Sequence, residues 1–448
     1  MKERVVIIGG VAAGMGAATQ IRRKNPDIEI FVFEQSEFVS YGLCGMPFFI
    51  SGIIKNYEDL IVYKPSYFKT NRNIDVFTKH RVEKIDIEKR EVIVSNLEDG
   101  TEKNISWSKL LIATGARARK LNIEGSNLKN IFTFRDLNSA ILLKNFINER
   151  KPKKCAIIGS GLIGLALAEA FVLNNIKTYV IEKEEKILPI FSNDMSEIVL
   201  KELQKNGVEV FTNSTVNAFI GKEEVEKISV NEKILDVDFV LLSIGVIPNI
   251  ELAKSAGIEI NSLGCIKVNN KMQTSVPGIY AAGDCTNSFS VITKKEIYLP
   301  LATITDKQAQ VAGNNIVGES EIYNGTVGSV VEKVFNLEVA RTGLTENEII
   351  KEGYNYKSIK IKGKSKAGYY PKAKDLYLKV FVDLNSKKIL GAEMIGEEGV
   401  AKRIDIIGTA IYAGLKIDQL YDIDFAYSPP FSPSRDILWN LSAKFKEL

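Results

Sequence analysis

The sequence has a single histidine, His80, in 448 residues. Chemistry that needs several imidazoles, whether acid–base relays or histidine-rich metal sites, is therefore excluded. Cysteine is also scarce. Cys44, Cys155, Cys265 and Cys285 lie too far apart in sequence for a Cys-x-x-Cys redox or metal pair. They are too few for a secreted disulfide framework, and a chain this long needs no such staples. No apolar run approaches the roughly 20 residues of a membrane span. The opening stretch MKERVVIIGGVAAG has a four-residue apolar strand before its glycines, not a signal peptide's longer apolar segment. Net charge is only +4, and no basic run is interleaved with aromatics, so nucleic acid is not an expected partner. These absences predict a protein of the reducing cytoplasm, with no metal and no membrane segment. Its length predicts two or three domains.

What is present is a repeat. In RVVIIGGVAAGMGAATQIRRKNPDIEIFVFE, an apolar strand (5–8) runs into Gly9 and Gly10. A helix of small residues follows, and a second strand (28–33) ends in Glu34. In KCAIIGSGLIGLALAEAFVLNNIKTYVIE, strand 155–158 meets Gly159-x-Gly161-x-x-Gly164, and strand 178–181 ends in Glu182. The physics of this unit is specific. One glycine makes the tight strand-to-helix turn, one lets backbone approach a pyrophosphate, and one lets helix and strand pack closely. The pyrophosphate rests on the helix N-terminus, and the terminal acid accepts hydrogen bonds from a ribose diol. The first copy departs from the pattern, with Val11 in place of the middle glycine.

Two further strands, in KLLIATGA and FVLLSIGV, follow the two motifs at similar intervals and break into Gly115 and Gly245. GIYAAGDC gives another strand ending in small residues and Asp284. The echo predicts a second nucleotide domain inserted into the first. After about Gly325 the pattern changes. LYLKVFVDLNSKKILGAEMIG reads as an antiparallel hairpin, EEGVAKRIDIIGTAIYAGLKIDQL as a helix, and FAYSPPFSPSRD as a loop before a last helix. A tail of this kind suits an assembly domain.

Cys44 lies in VSYGLCGMPFFISG, just before an apolar segment that can start a helix. A thiol at a helix N-terminus is expected to have a depressed pKa and to be nucleophilic. With no resolving cysteine near it in sequence, it would cycle as a mixed disulfide, a persulfide or a sulfenic acid. Cys155 and Cys265 read as buried structural residues, and His80 as surface.

Taken together, VVIIGGVAAG, SYGLCGMPFFISG, LLIATGA, IIGSGLIG, KMQTSVPGIYAAGDC, YLPLATI, VARTGLTENE, GYYP and DFAYSPPFS resemble the single-cysteine branch of the flavoprotein pyridine nucleotide-disulfide oxidoreductases. That branch holds coenzyme A disulfide reductases, NAD(P)H:persulfide or sulfur reductases, NADH oxidases and NADH peroxidases. The resemblance implies an α/β fold of two Rossmann-like dinucleotide-binding domains plus a C-terminal α+β dimerisation domain. Residues 1–115 and 266–324 would bind FAD, 116–265 NAD(P)H, and 325–448 would dimerise. It implies a flavin site of Gly9, Gly10, Ala13, Gly14, Glu34, Val82, Ala113, Thr114, Gly115, Asp284 and Ala302. The nicotinamide site would use Gly159, Gly161, Leu162, Ile163, Gly164, Glu182 and Gly245. Glu182 favours NADH, and the adjacent Lys183 leaves NADPH open.

The resemblance further implies that Cys44 is the redox centre and coenzyme A the thiol it bonds. Tyr369 and Tyr427 would reach the partner chain's cysteine in a homodimer, with Tyr370 a neighbour that could exchange roles with Tyr369. Arg22, Arg23 and Ser40 would bind the substrate. In the oxidase and peroxidase members a histidine stands in the first glycine loop; here the residue is Ala12. Ala166 stands where the family often has a glutamate near the nicotinamide. The expected activity is NAD(P)H-driven reduction of coenzyme A disulfide, coenzyme A persulfide, polysulfide or elemental sulfur. The alternative is a water-forming NADH oxidase that cycles through a Cys44 sulfenate.

Overall fold

In the computed structural model, which describes residues 3–446, the sequence repeat becomes two five-stranded parallel sheets that share the order of four strands and differ in the fifth, an edge strand that comes last in the sequence in one and first in the other. In the first, strands Ile279–Ala281, Lys109–Ile112, Arg4–Ile8, Glu29–Phe33 and Asp75–Phe77 lie side by side. In the second the order is Ile131–Thr133, Phe239–Leu242, Lys154–Ile158, Lys177–Ile181 and Glu209–Phe211. The central strands are buried over almost their whole length, which accounts for their continuous apolar character. Each unit also carries a three-stranded antiparallel sheet. These are His80–Asp86, Glu91–Asn96 and Glu102–Ser106 in one, and Val216–Ile220, Lys227–Val230 and Lys233–Asp236 in the other.

The chain leaves the first sheet after Lys109–Ile112 and returns to it at Ile279–Ala281. Strands Ala116–Ala118 and Val246–Pro248 pair antiparallel where it crosses out and back. Behind the first sheet, helix Ala12–Lys24 crosses helix Ala302–Ile316 closely. A Cβ on Gly16 would come 3.2 Å from the Ala309 Cβ, and one on Gly313 3.1 Å from the Ala17 carbonyl oxygen. Small residues at this crossing set how close the two backbones can come.

The third sheet is antiparallel, in the order Val330–Val334, Leu337–Gly343, Ile389–Gly396, Asp375–Asp383 and Tyr356–Lys364. Its middle strand, Ile389–Gly396, is buried at every position. Helices Val400–Tyr412 and Ile437–Lys446 pack against this sheet through one apolar cluster. The hairpin and both helices fall where the alternation and periodicity of the sequence put them. A buried carboxylate, Glu393, ties this sheet to the second unit. It accepts from the Ser192 backbone N–H at 3.0 Å and the Ser192 hydroxyl at 2.6 Å.

Candidate active site

Two glycine loops, one per parallel sheet, are built alike. Gly9 has φ 110° and Gly159 φ 99°, and each N–H donates to the strand beside it, to Phe33 O and Ile181 O, both at 2.8 Å. A Cβ on either would strike a carbonyl oxygen, Ala113 or Ser243, so only glycine fits. Gly14 and Gly164 are closed in the same way by the carbonyls of Gly9 and Gly159. The middle position differs. A Cβ on Gly161 meets nothing within 4 Å. Packing within the protein therefore does not require glycine at this place, which leaves open space over the backbone, and the first loop carries Val11 at the matching position.

Two acids hold these loops. Glu34 accepts from the Gly10 and Ser36 N–H groups, each at 2.8 Å. Glu182 accepts from the Ser160 N–H at 2.9 Å, the Ser160 hydroxyl at 2.5 Å and the Glu184 N–H at 3.0 Å. A carboxylate offers about four lone-pair sites, so Glu34 keeps two acceptor positions and Glu182 one. Both helices that follow, Ala12–Lys24 and Leu162–Leu173, have no acid in their first turn. Nothing there competes with a phosphate for the helix dipole. Ala13 is buried and backs against Gly283, where an added Cβ would come 2.9 Å from it; Leu162 and Ile163 open the second helix, Ile163 exposed. This donor set and these cradles fit two dinucleotides.

Val82 is buried in strand His80–Asp86. Ala113 follows the strand Lys109–Ile112. Thr114 is clasped by Asn249: its hydroxyl donates to Asn249 O at 2.7 Å, and the Asn249 amide donates to Thr114 O at 2.8 Å. Gly115 and Gly245 have positive φ and open space at their Cβ positions, flanking the crossing strands. Ala302 opens helix Ala302–Ile316 and is exposed. Asp284 is ion-paired with Arg135 and accepts from the Thr305 hydroxyl at 3.3 Å.

Cys44 sits in the 3₁₀ turn Leu43–Gly45 that leads into helix Met46–Ser51. Ser40 begins this segment with φ 49°, a strained left-handed conformation for a non-glycine residue. It is fixed by its N–H to Gly10 O at 3.0 Å and by accepting from the Val62 N–H at 2.8 Å. The far end of the helix is held from the second unit, where Lys144 and Asn174 donate to Ile50 O at 2.7 and 3.0 Å.

Cys44 is the one exposed cysteine of four. Burial pushes Cys155 up to about 12 and Cys285 up to about 11. Those thiols, with buried Cys265, stay protonated and inert. The expectation of a depressed Cys44 pKa is not met. Its pKa is raised, first by desolvation from the surrounding protein and then by Glu332 and Asp284, with Arg135 acting the other way.

Arg22 also departs from its expected role. Its guanidinium donates to the carbonyls of Arg72 (2.9 Å), Asn25 (3.2 Å), Ile28 (2.6 Å), Asn73 (2.9 Å) and Pro26. With its donors committed to the backbone it staples the chain past its helix and is not free for a phosphate. Arg23 is exposed and donates to Gln20 at 2.9 Å. His80 is half-buried against Phe33 and Phe77 instead of standing on the surface.

On the C-terminal unit the Tyr369 and Tyr427 hydroxyls meet at 3.1 Å, and both rings are exposed, at 77 % and 50 %. The Tyr370 ring has the Lys366 ammonium 5.9 Å from its centroid and takes no part in the Tyr369–Tyr427 contact. Arg135, Glu332, Lys144 and Asn249 carry no sequence signal. Each is placed by tertiary structure alone.

Comparison with known proteins agrees with this architecture over nearly the whole chain. A relative from Pyrococcus furiosus, described as "NAD(P)H sulfur oxidoreductase (CoA-dependent)", is 37 % identical over 446 residues, covering 99 % of both chains. A relative from Methanocaldococcus jannaschii described as "NADH oxidase" is 37 % identical, over 96 % of this chain and 95 % of its own. Among solved structures, a NAD-dependent persulfide reductase from A. fulgidus superposes with a TM-score of 0.97. It is 34 % identical and covers 99 % of this chain and 83 % of that one. The family model described as pyridine nucleotide-disulphide oxidoreductase matches residues 3–309, and the dimerisation domain of the same family matches 331–437. The chain therefore belongs to the pyridine nucleotide-disulphide oxidoreductases.

Proposed function

We propose that this enzyme uses NAD(P)H to reduce coenzyme A disulfide, coenzyme A persulfide, polysulfide or elemental sulfur through Cys44. The observation that carries this reading is the selective exposure of Cys44, where Glu332, Asp284 and Arg135 also act on the thiol. As a member of its family the chain is an FAD-dependent NAD(P)H oxidoreductase. Bound FAD supplies the two-electron link between nicotinamide and sulfur. Residues 1–115 and 266–324 would hold it, with Glu34 on a ribose and Asp284 and Ala302 toward the flavin. Residues 116–265 would hold the nicotinamide nucleotide, with Glu182 on its ribose, and residues 325–448 would form the dimer.

Cys44 attacks the substrate disulfide as thiolate and forms a mixed disulfide, releasing one thiol. Two electrons and a proton from NAD(P)H then break that bond, release the second thiol and restore Cys44. The balance is one NAD(P)H and one proton per disulfide, giving two thiols. Tyr369 and Tyr427 present paired hydroxyls to solvent, and in a homodimer they would face the partner subunit's Cys44. There they would donate a hydrogen bond to the departing thiolate. Arg23 and Ser40 remain candidates for coenzyme A. No helix among the described residues is long and apolar enough to cross a membrane, and a cytoplasmic site of action suits a single reduced thiol.

Turnover with coenzyme A disulfide, polysulfide and oxygen, in wild type and Cys44→Ser, tests this reading. Sulfur-linked turnover should vanish in the variant, and the non-reduced enzyme should carry a coenzyme A adduct on Cys44 by mass spectrometry. The Methanocaldococcus relative's name supports an oxidase as second reading. An oxygen rate far above both sulfur rates would favour it.

A further inference from the structure

Ile50 lies in the helix Met46–Ser51 that follows Cys44, and its side chain is fully buried. The last carbonyls of a helix have no partner within it and must find one elsewhere. The backbone N–H groups that follow pass Ile50 by: Gly52 donates to Phe49 O at 3.2 Å and Ile54 to Phe48 O at 3.0 Å. The Ile50 carbonyl is filled instead by two side chains of the second unit. Lys144 Nζ, from helix Leu137–Arg150, donates to it at 2.7 Å, and Asn174 Nδ2, just past helix Leu162–Leu173, at 3.0 Å. Together they use both lone pairs of the oxygen. Asn174 also donates to Ala170 O at 2.8 Å, which locks it to the end of its own helix. The Lys144 ammonium has no carboxylate partner among the described residues, and this carbonyl is its hydrogen-bond acceptor. At the other end of the segment, the Ser40 N–H donates to Gly10 O of the first glycine loop at 3.0 Å. The cysteine turn is thus strung between the first glycine loop and the far end of the helix that the second glycine loop opens.

We propose that Lys144 and Asn174 are positioning residues for Cys44: through the Ile50 carbonyl they hold the cysteine turn in the place from which its thiol works. The proposal rests on the reading of Cys44 as the redox centre. Neither side chain touches the sulfur. They act through six residues of backbone, about 9 Å of helical rise. A helix as short as Met46–Ser51 has no stability of its own, so tertiary contacts decide where it lies. Its buried residues Met46, Phe49 and Ile50 fix which face turns inward. Apolar packing alone lets a short helix slide or fray, whereas two directed hydrogen bonds to one oxygen fix its end. The two donors also back each other up, since either alone still pairs the carbonyl. Because both come from the second unit, the placement of Cys44 depends on the unit that carries the second glycine loop as well as on the first.

The test is iodoacetamide modification of all four cysteines in the reduced, FAD-loaded enzyme, followed peptide by peptide by mass spectrometry. Turnover with coenzyme A disulfide and the rate of flavin reduction by NADH are measured beside it. Lys144→Met and Asn174→Leu each leave one donor on Ile50 O, and each should stay within about twofold of wild type. The double variant strips the carbonyl. Its Cys44 should react about 3–10-fold faster, the scale of a hydrogen bond lost to local opening, while buried Cys155, Cys265 and Cys285 stay protected. Disulfide turnover should fall about 10- to 100-fold, the cost of a misplaced reacting atom, with flavin reduction near wild type. Lys144→Arg combined with Asn174→Leu restores a donor and should bring both values back. Asn174→Asp keeps the size, repels the carbonyl and draws off the Lys144 ammonium, so it should behave as the double variant does. Wild-type modification and turnover in the double variant would overturn the proposal. So would four thiols opening in step, which is the mark of general destabilisation. Asn174→Asp decides by the same readouts if the double variant does not fold. If Cys44→Ser kept full sulfur turnover, the assigned function would fail, while the modification pattern would still report whether the two donors hold the turn.

Discussion

Arg135 and Asp284 form an ion pair across 149 residues of sequence, joining the segment that enters helix Leu137–Arg150 to the turn after strand Ile279–Ala281. The same guanidinium donates through Nε to Ala116 O at 2.9 Å, on the strand where the chain crosses between the two parallel sheets. Arg135 therefore fixes the two units at the point where Cys44 feels its charge. It also lowers the Cys44 pKa, opposite in sense to Glu332.

Removing Arg135 should move the thiol the other way. Arg135→Met leaves Asp284 without its cation, so the Cys44 pKa should rise and iodoacetamide modification near neutral pH should slow several-fold. Both partners keep about a fifth of their side-chain surface in solvent, so the stability loss should be about 1–2 kcal/mol, below that of a fully buried pair. Thermal unfolding and the modification rate give the two readouts. A faster thiol in Arg135→Met would show that its influence on Cys44 runs through something other than charge.

A fully buried pair sits under the two tyrosine loops. Arg403 binds both carboxylate oxygens of Asp436 through Nε and Nη2, at 2.7 to 3.1 Å; Nη2 also reaches Ser365 O at 3.4 Å, and Nη1 donates to Gly399 O at 2.8 Å. Ser365 precedes Tyr369 and Asp436 follows Tyr427, so one guanidinium anchors both loops. Asp436→Ala should cost about 3–5 kcal/mol, because it strands a buried charge. Disulfide turnover should fall with it, while reduction of the flavin by NADH, which uses the other two units, stays near wild type. Differential scanning calorimetry and separate half-reaction rates measure the two effects.

The tyrosine pair itself should act after the flavin is reduced. Tyr369→Phe and Tyr427→Phe each remove one hydroxyl from the 3.1 Å contact and leave the ring. Each should lower disulfide turnover about 10-fold or more, on the scale of a lost acid or hydrogen-bond donor. Tyr370→Phe should change it little. Mixed dimers of Cys44→Ser with Tyr427→Phe chains distinguish the geometries. If the tyrosine serves the partner's cysteine, one site in the mixed dimer has neither defect and activity returns. If it serves its own, none returns.

Much of this protein was legible in order along the chain because the signals are local. Gly9, Gly14, Gly159 and Gly164 are forced by collisions with carbonyls a few residues or one strand away, and such demands show as fixed spacings. The hairpin around Asn385 and the helix from Val400 follow from alternation and periodicity in the same way. The surroundings of Cys44 were not legible, because Glu332 comes from a remote strand and Arg135 from a remote bend, and no spacing records them. Arg22 shows the reverse error. A basic residue at a helix end reads as free charge, yet the chain turns back and covers its guanidinium with carbonyls. The direction of the Cys44 pKa was not legible because a helix start is visible in sequence, while the desolvation of the thiol and the acids acting on it are not.

Glu182 gives the last expectation, on nucleotide choice. Its carboxylate holds Ser160 by two bonds and Glu184 by a third, so it is fixed in place and cannot swing away from an added phosphate. A fixed carboxylate one residue's reach from a ribose diol favours the diol and repels a 2′-phosphate. Glu182→Gln removes the charge and keeps the shape and one acceptor oxygen for the Ser160 N–H. The ratio of kcat/KM for NADPH to that for NADH should rise about tenfold, a shift of about 1.4 kcal/mol. Glu182→Ala should shift the ratio as far but also leave the buried Ser160 N–H unpaired, a loss of about 1–3 kcal/mol in stability. If Gln leaves the ratio unchanged while Ala shifts it, the discrimination comes from shape, and Lys183 has already neutralised the charge.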